Sequence, residues 1–415
     1  MKKELIRKYA RLIARVGANI EKGEDVVIHS DVEIHEFTAL LTEECYLAGA
    51  GCVRVEWGSD ALTRLHYTHR TEESLKSIPA WQTAKMRERA EKLPTRIHVI
   101  SEAPDALAGI DRAKYESVRA HTYKKFKKYL DLTEGMEKWC VAAFPSRAWA
   151  AAVFPGETPR AAYEKLLAAV LESAKVTKST DPVEVWRAHN ARIAERCKRL
   201  SSHKFEYIEY KSKNGTDARV WLIPETHFSG GGEYTKRGKY FNPNIPTEEI
   251  FISPMAGKAE GTFVSTMPLS WAGDIIDGFS VTFEGGKVTR FSAERGEALL
   301  RAMLESDEGA KRLGELAFVP QKNPIAAQNI LFLNTLFDEN ASCHVALGEG
   351  YIDTVDGYAE RTLEECRALG INESRIHVDF MIGAPDLSVT GYEGGKAIKI
   401  MENGEFTGEF ADQEK

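Results

Sequence analysis

The sequence predicts two architectures in one chain, an α/β half built on a mainly parallel sheet and an α+β half rich in antiparallel strands. Three observations carry this. Up to about residue 144, short apolar runs alternate with helical stretches, the pattern of strand–helix–strand units. After Lys204 the chain changes to alternating segments joined by Asn-Gly and Gly-Gly turns, the pattern of hairpins. Finally, 415 residues exceed what one core serves comfortably, so two domains are expected, 1–185 and 186–415.

The strands expected in the first half are Val26-Val27-Ile28, Val53-Arg54-Val55, Ile97-His98-Val99-Ile100 and Val141-Ala142-Ala143, with helical segments at 36–47 and 115–130. Ala48-Gly49-Ala50-Gly51 precedes a strand, so its glycines cap a helix and supply no dinucleotide fingerprint. Residues 145–202 read as mainly helical. Thr158-Pro159 opens one helix with proline in its first turn, and Asp181-Pro182-Val183-Glu184 opens another with capping-box spacing. The second carries Trp186, Ile193, Cys197 and Leu200 at helical spacing, a packing face on the bridge between the halves. Beyond it 205–210 alternates, Asn214-Gly215 turns and 218–222 returns. No helix signal follows Gly230-Gly231-Gly232, which therefore reads as a plain loop and not an anion cradle. Strand-like segments continue through Phe251, Phe263 and 281–283, with a turn at Gly285-Gly286. A long helix is expected over about 296–316, and a hairpin closes the chain at Asn403-Gly404.

Composition excludes several function classes. A hydrophobic share of 43% and a charged share of 28% are those of a soluble globular protein. A net charge of -7 gives no reason to expect nucleic acid or a membrane as partner. The run Lys124-Lys125-Phe126-Lys127-Lys128 reads as a solvated helix face. The six cysteines form no Cys-x-x-Cys pair, which argues against a zinc ribbon or a disulfide framework and fits a reducing compartment. Arg7, Lys8, Arg11 and Arg15 interrupt residues 1–16, which read as an amphipathic helix and not a signal peptide. No stretch approaches the roughly 18 apolar residues of a membrane span. A cytoplasmic protein is expected.

Chemistry concentrates in the last third. Arg375-Ile376-His377-Val378-Asp379-Phe380-Met381-Ile382-Gly383 is apolar enough for a buried strand, yet carries His377 and Asp379 two residues apart. Alternate side chains of a strand share a face, so imidazole and carboxylate emerge together while Val378 and Phe380 enter the core. Buried charge needs a partner, and a metal ion is the simplest one. Further polar groups occur where apolar surroundings do not explain them. Glu249 precedes a strand and shares a face with Phe251, His344 adjoins an apolar run with Tyr351 close behind, and Glu315 falls at the expected C-terminal end of the long helix. The helix dipole disfavours a carboxylate there, and a cation would compensate. Taken one at a time, each of these side chains, like His98, His189 or His227, would read as structural.

Pro246-Thr247-Glu248-Glu249, Leu313-Gly314-Glu315, the run Thr335-Leu336-Phe337-Asp338-Glu339-Asn340-Ala341-Ser342-Cys343-His344 and His377-Val378-Asp379-Phe380-Met381-Ile382-Gly383 together resemble the M29 family of metallo-aminopeptidases. The resemblance covers most of the chain and is tightest over 240–383. It implies metal ligands at Glu249, Glu315, His344, His377 and Asp379, with one of the two glutamates, Glu315 by preference, as the bridge, and a site role for Tyr351. It also implies a homodimer whose C-terminal domain holds two divalent ions. Glu349 departs from the family loop, where a basic or small residue is expected. Imidazole suits zinc, cobalt or iron and carboxylates also accept manganese and magnesium, so the donor set does not name the metal; zinc or cobalt is expected first. The expected reaction removes N-terminal residues from peptides with a free N-terminus, by attack of hydroxide generated at the paired ions. Tyr351 would donate a hydrogen bond to the carbonyl oxygen. Glu248 faces away from Glu249 on a regular strand. The alternatives are another metal-dependent amide hydrolase, a carboxypeptidase or amidase, and a non-catalytic metal- or peptide-binding protein.

Overall fold

The structure is a computed structural model describing residues 2–412. Two compact units divide the chain, Met1–Trp186 with Gly232–Ile245, and Arg187–Gly231 with Pro246–Lys415. The single cut drawn from sequence leaves 232–245 in the second half. These residues belong to the first because their short strand Asn244–Ile245 extends its sheet.

That sheet is parallel, in the order Cys52–Gly58, Asp25–Asp31, Thr95–Ile100, Trp139–Ala143, Asn244–Ile245. Val26, Ile28, Ile97, Val99, Cys140 and Ala142 are buried, as strands with helices on their faces require. The helix His35–Ala48 ends at Gly49 in the left-handed region, φ 118°. Thr158 caps the helix Pro159–Ser173 by accepting from the Ala161 N–H. The Asp181 carboxylate accepts from Val183 N at the start of Pro182–Ser201. The predicted packing face of that helix is buried at Trp186, Ile193, Cys197 and Leu200.

In the second unit an antiparallel sheet of nine strands and a four-stranded antiparallel sheet share one core. Tyr210 of the larger sheet lies against Phe318 of the smaller at 6.3 Å between ring centroids, and Phe279 against Phe380 at 5.3 Å. The smaller sheet runs Ile250–Ile252, Leu313–Phe318, His344–Gly348, His377–Met381. Turns fall at Asn214-Gly215, Gly285-Gly286 and Asn403-Gly404 as the sequence predicts.

The helix expected over 296–316 is corrected. It covers only Glu297–Leu304, and Leu313–Phe318 is a strand buried at every position. Between them Asp307 accepts from Ala310 N, Arg375 N and the Ser374 hydroxyl, fixing a turn. A strand covered on both faces lacks polar alternation, so a short apolar run reads equally well as helix. Glu315 therefore sits mid-strand, and no helix dipole acts on it.

Candidate metal centre

The pleat of the four-stranded sheet sorts its residues by chemistry. Leu316, Phe318, Val345, Leu347, Val378 and Phe380 face the shared core together with Ile250 and Ile252. Cross-strand register puts Glu315, Ala346 and Asp379 in one row on the opposite face. The next row on that face is Phe251, Ala317, His344 and Met381. Ala317 and Ala346 leave room above the sheet for the carboxylates and imidazoles around them.

The five ligand candidates meet on this face. Glu249, Glu315 and His344 form one three-donor group and Glu315, His377 and Asp379 another, the donor atoms of each lying within 4.8 Å of one another. Glu315 belongs to both. His377 Nε2 is 3.1 Å from both Glu315 Oε2 and Asp379 Oδ1, and His344 Nε2 is 3.3 Å from Glu249 Oε2. Tyr351 directs its hydroxyl at His377 Nε2, 3.1 Å away.

Backbone carbonyls set the tautomers. His344 Nδ1 lies 3.0 Å from the Glu339 carbonyl and 3.1 Å from that of Ser342. His377 Nδ1 lies 2.7 Å from the Glu349 carbonyl. Carbonyls only accept, so each Nδ1 carries a proton, and each Nε2 faces the carboxylates, where it donates a second proton in the ion-free chain and is the atom left to bind a cation once that proton is lost. The donor set fits a pair of divalent ions.

The electrostatics agree. Burial pushes Glu315 up to about 7, against the pull of His377. Burial would raise Asp379 too, but His377 and then His344 outweigh it and bring that carboxyl down to about 2. Burial works to lower His344, yet its hydrogen bond with Glu249 carries it up to about 10. His377 is likewise held well above the imidazole range, chiefly by Asp379 against the effect of burial. Concentrated negative charge in a dry setting retains whatever positive charge it finds, a proton or a metal ion.

The sequence reading missed the supports of these ligands. Asn340 accepts from Glu248 N and donates to Leu336 O, which ties the Glu249 segment to the loop before His344. Gly230 lets the glycine loop approach, since a Cβ there would lie 2.5 Å from the Glu249 carbonyl. The adjoining Ser229 exchanges backbone hydrogen bonds with Phe251. Glu339 is buried and held well above the carboxyl range by burial, then by Asp379 and Glu249. The only sequence signal for it is its place inside the Asp338-Glu339-Asn340 run. Support through a carbonyl leaves no side-chain pattern to read. The Glu349 carboxylate turns to Arg367 and Ser374 N, while its carbonyl orients His377. Glu248 lies 3.7 Å from His189.

The chain resembles known proteins over nearly its whole length. Residues 2–406 match the family described as thermophilic metalloprotease, M29. Aminopeptidase AmpS of Bacillus subtilis is 35% identical over 406 residues, 96% of this chain and 97% of the relative. Aminopeptidase T of Thermus thermophilus is 36% identical over 404 residues, 97% of this chain and 98% of that protein. The solved structure of wild-type AmpT from Thermus thermophilus superposes with a TM-score of 0.89 at 36% identity, covering 98% of this chain and all of the other. The chain belongs to the thermophilic metalloprotease family M29.

Proposed function

We propose that this protein is a metallo-aminopeptidase that removes N-terminal residues from peptides at a site holding two divalent ions. The observation that carries the reading is the pair of three-donor groups sharing Glu315. Glu249, Glu315 and His344 would hold one ion, Glu315, His377 and Asp379 the other, with Glu315 as bridge. The aminopeptidase activity is carried over from the relatives, which bear that name.

Ions held this way supply Lewis acidity to the scissile carbonyl and acidify water toward neutral pH. The side chains of the chain do the rest. Nδ1 donation from His344 and His377 to backbone carbonyls keeps both rings oriented. Burial, then the charges of Glu315 and Asp379, hold the Tyr351 phenol well above its ordinary range, so it stays protonated. It then donates a hydrogen bond to the oxygen on which negative charge develops. Burial of Glu249, Glu315, His344 and Asp379 excludes bulk water and strengthens each of these interactions.

The reading extends to zinc or cobalt as first choice of ion, a homodimer, as the family resemblance implies, and a cytoplasmic setting. The cysteines are free thiols, five of them buried, which supports a reducing compartment. No helix among the described residues is long and apolar enough to cross a membrane. The test is metal content by mass spectrometry, paired with turnover of aminoacyl-anilides before and after chelation. About two ions per chain, loss of turnover on chelation with the fold intact, and recovery on re-addition are expected. N-blocked peptides should not be cleaved. Equal cleavage of blocked and free substrates, or full turnover in the ion-free chain, would refute the reading.

A further inference from the structure

We infer that the seam between the helices Ala80–Lys92 and Arg112–Thr133 is a binding site for a small, multiply charged phosphate anion. The seam opens a cleft of about 590 Å³, within the range of small-molecule sites. Lys124, Lys125 and Lys128 line it from one helix and Arg87 from the other, with His121 beside them and no carboxylate in the lining. It lies wholly in the first unit and is independent of the metal centre and of the aminopeptidase reading.

The pairing of neighbouring charges sets this cleft apart. On the helix Ala80–Lys92, Lys85 pairs with Glu56, Arg89 with Glu137 and Lys92 with Glu88. Arg87, which lines the cleft, has no carboxylate partner among the described residues, and the Lys128 ammonium lies 4.9 Å from the centroid of the Tyr129 ring. The facing helix repeats the contrast. Lys127 is paired with Asp131 at 2.9 Å, while Lys124, Lys125 and Lys128 have no ion-pair partner among the described residues. Lys124 and Lys128 stand at i,i+4, Lys125 and Lys128 at i,i+3, spacings at which like charges repel and weaken a helix. A chain of net charge -7 has carboxylates to spare, yet leaves these cations without any. The five basic residues are exposed, so a solute reaches them.

The ligand class follows from charge density and donor type. Lys124 and Lys128 are separated by about 6 Å along the helix axis, at 1.5 Å per residue. Three cations of one helix within about that reach, with Arg87 lining the same cleft from the other helix, match a di- or triphosphate group, which concentrates several charges over a similar length. An acidic peptide spreads its carboxylates more widely. The Arg87 guanidinium suits bidentate contact with a phosphoryl group, the ammonium groups act as point charges, and the Thr83 hydroxyl adds a neutral donor.

The test titrates sodium tripolyphosphate into the full, metal-loaded chain by calorimetry at fixed ionic strength. The quadruple variant Arg87→Gln, Lys124→Gln, Lys125→Gln, Lys128→Gln serves as reference. Tripolyphosphate also chelates divalent ions, and that contribution is common to both proteins. Saturable one-to-one binding in the parent, weakened at least about tenfold in the variant, is expected from the loss of charge-assisted hydrogen bonds. Lys127→Gln, which removes a positive charge outside the cleft, should bind as the parent does. A parallel titration with ATP distinguishes the source. Equal affinity points to an inorganic oligophosphate and tighter binding to a nucleotide, and both support the site. Equal affinity in parent and variant, or binding no stronger than that of sulfate, would overturn it. So would capture of a single-stranded oligonucleotide without saturable tripolyphosphate binding.

Discussion

The two faces of the four-stranded sheet follow the same backbone and carry opposite chemistry. Leu316, Phe318, Val345, Leu347, Val378 and Phe380 fill one side, and Glu315, Ala317, His344, Ala346, His377 and Asp379 occupy the other. The apolar face needs only hydrophobic side chains of suitable volume. The polar face needs donor atoms converging on shared points, with alanines between them to keep the space open. A period of two along each strand is therefore enough to build one face, while the other depends on the register of three strands at once.

Four substitutions test this contrast, beginning with the largest effect. Asp379→Ala or His344→Ala should bring anilide turnover below detection and lower the bound metal, with the thermal transition still cooperative. Normal rates in either variant would remove that residue from the site. Tyr351→Phe keeps the ring and loses the donor. It should lower kcat about 10²–10³-fold with metal content unchanged, as for loss of one oxyanion donor. Phe380→Ala, one residue beyond Asp379 but on the opposite face, should destabilise the fold by about 3–5 kcal/mol. Its turnover per folded molecule should persist, as read by denaturant melts alongside specific activity.

A smaller effect separates the ion-free from the loaded chain. His344 has its folded pKa raised to about 10, so in the ion-free protein the bound proton stabilises the fold most fully below the ordinary imidazole range. That contribution disappears as pH rises through about 10. With Nε2 committed to an ion, the loaded chain has no such loss, so the two Tm–pH curves should separate on the alkaline side. Loading at neutral pH should also release protons, seen as a dependence of the calorimetric heat on the ionisation enthalpy of the buffer. Parallel Tm curves and buffer-independent heats would show that His344 is not protonated in the ion-free fold.

Much of this was legible in the chain, for reasons that differ from element to element. Val26-Val27-Ile28 and Val141-Ala142-Ala143 lie between clear helical segments, and the parallel sheet follows from that alternation. The hairpins at Asn214-Gly215 and Asn403-Gly404 were announced by residues that tolerate the turn, with Asn403 at φ 53° and Gly404 at φ 72°. His377 and Asp379 shared a face by simple alternation. Glu315 reads as helical in sequence and stands in a strand, because Leu313–Phe318 is covered on both sides and shows no period. The lysines at 124–128 read as one solvated stretch, because sequence does not show that Lys127 finds Asp131 while its neighbours line a cleft together with Arg87.

The order of residues by itself determined the helices, the turns, the alternation that sends His377 and Asp379 one way and Val378 and Phe380 the other, and the family motifs. All of these are local properties or patterns along a line. Tertiary structure alone decided that Glu315, Ala346 and Asp379 share a row, that Glu315 stands in both donor groups, and that the Glu339, Ser342 and Glu349 carbonyls set the imidazole tautomers. Those relations rest on strand register and on backbone atoms that every residue type carries alike, so the identities of the residues leave no trace of them.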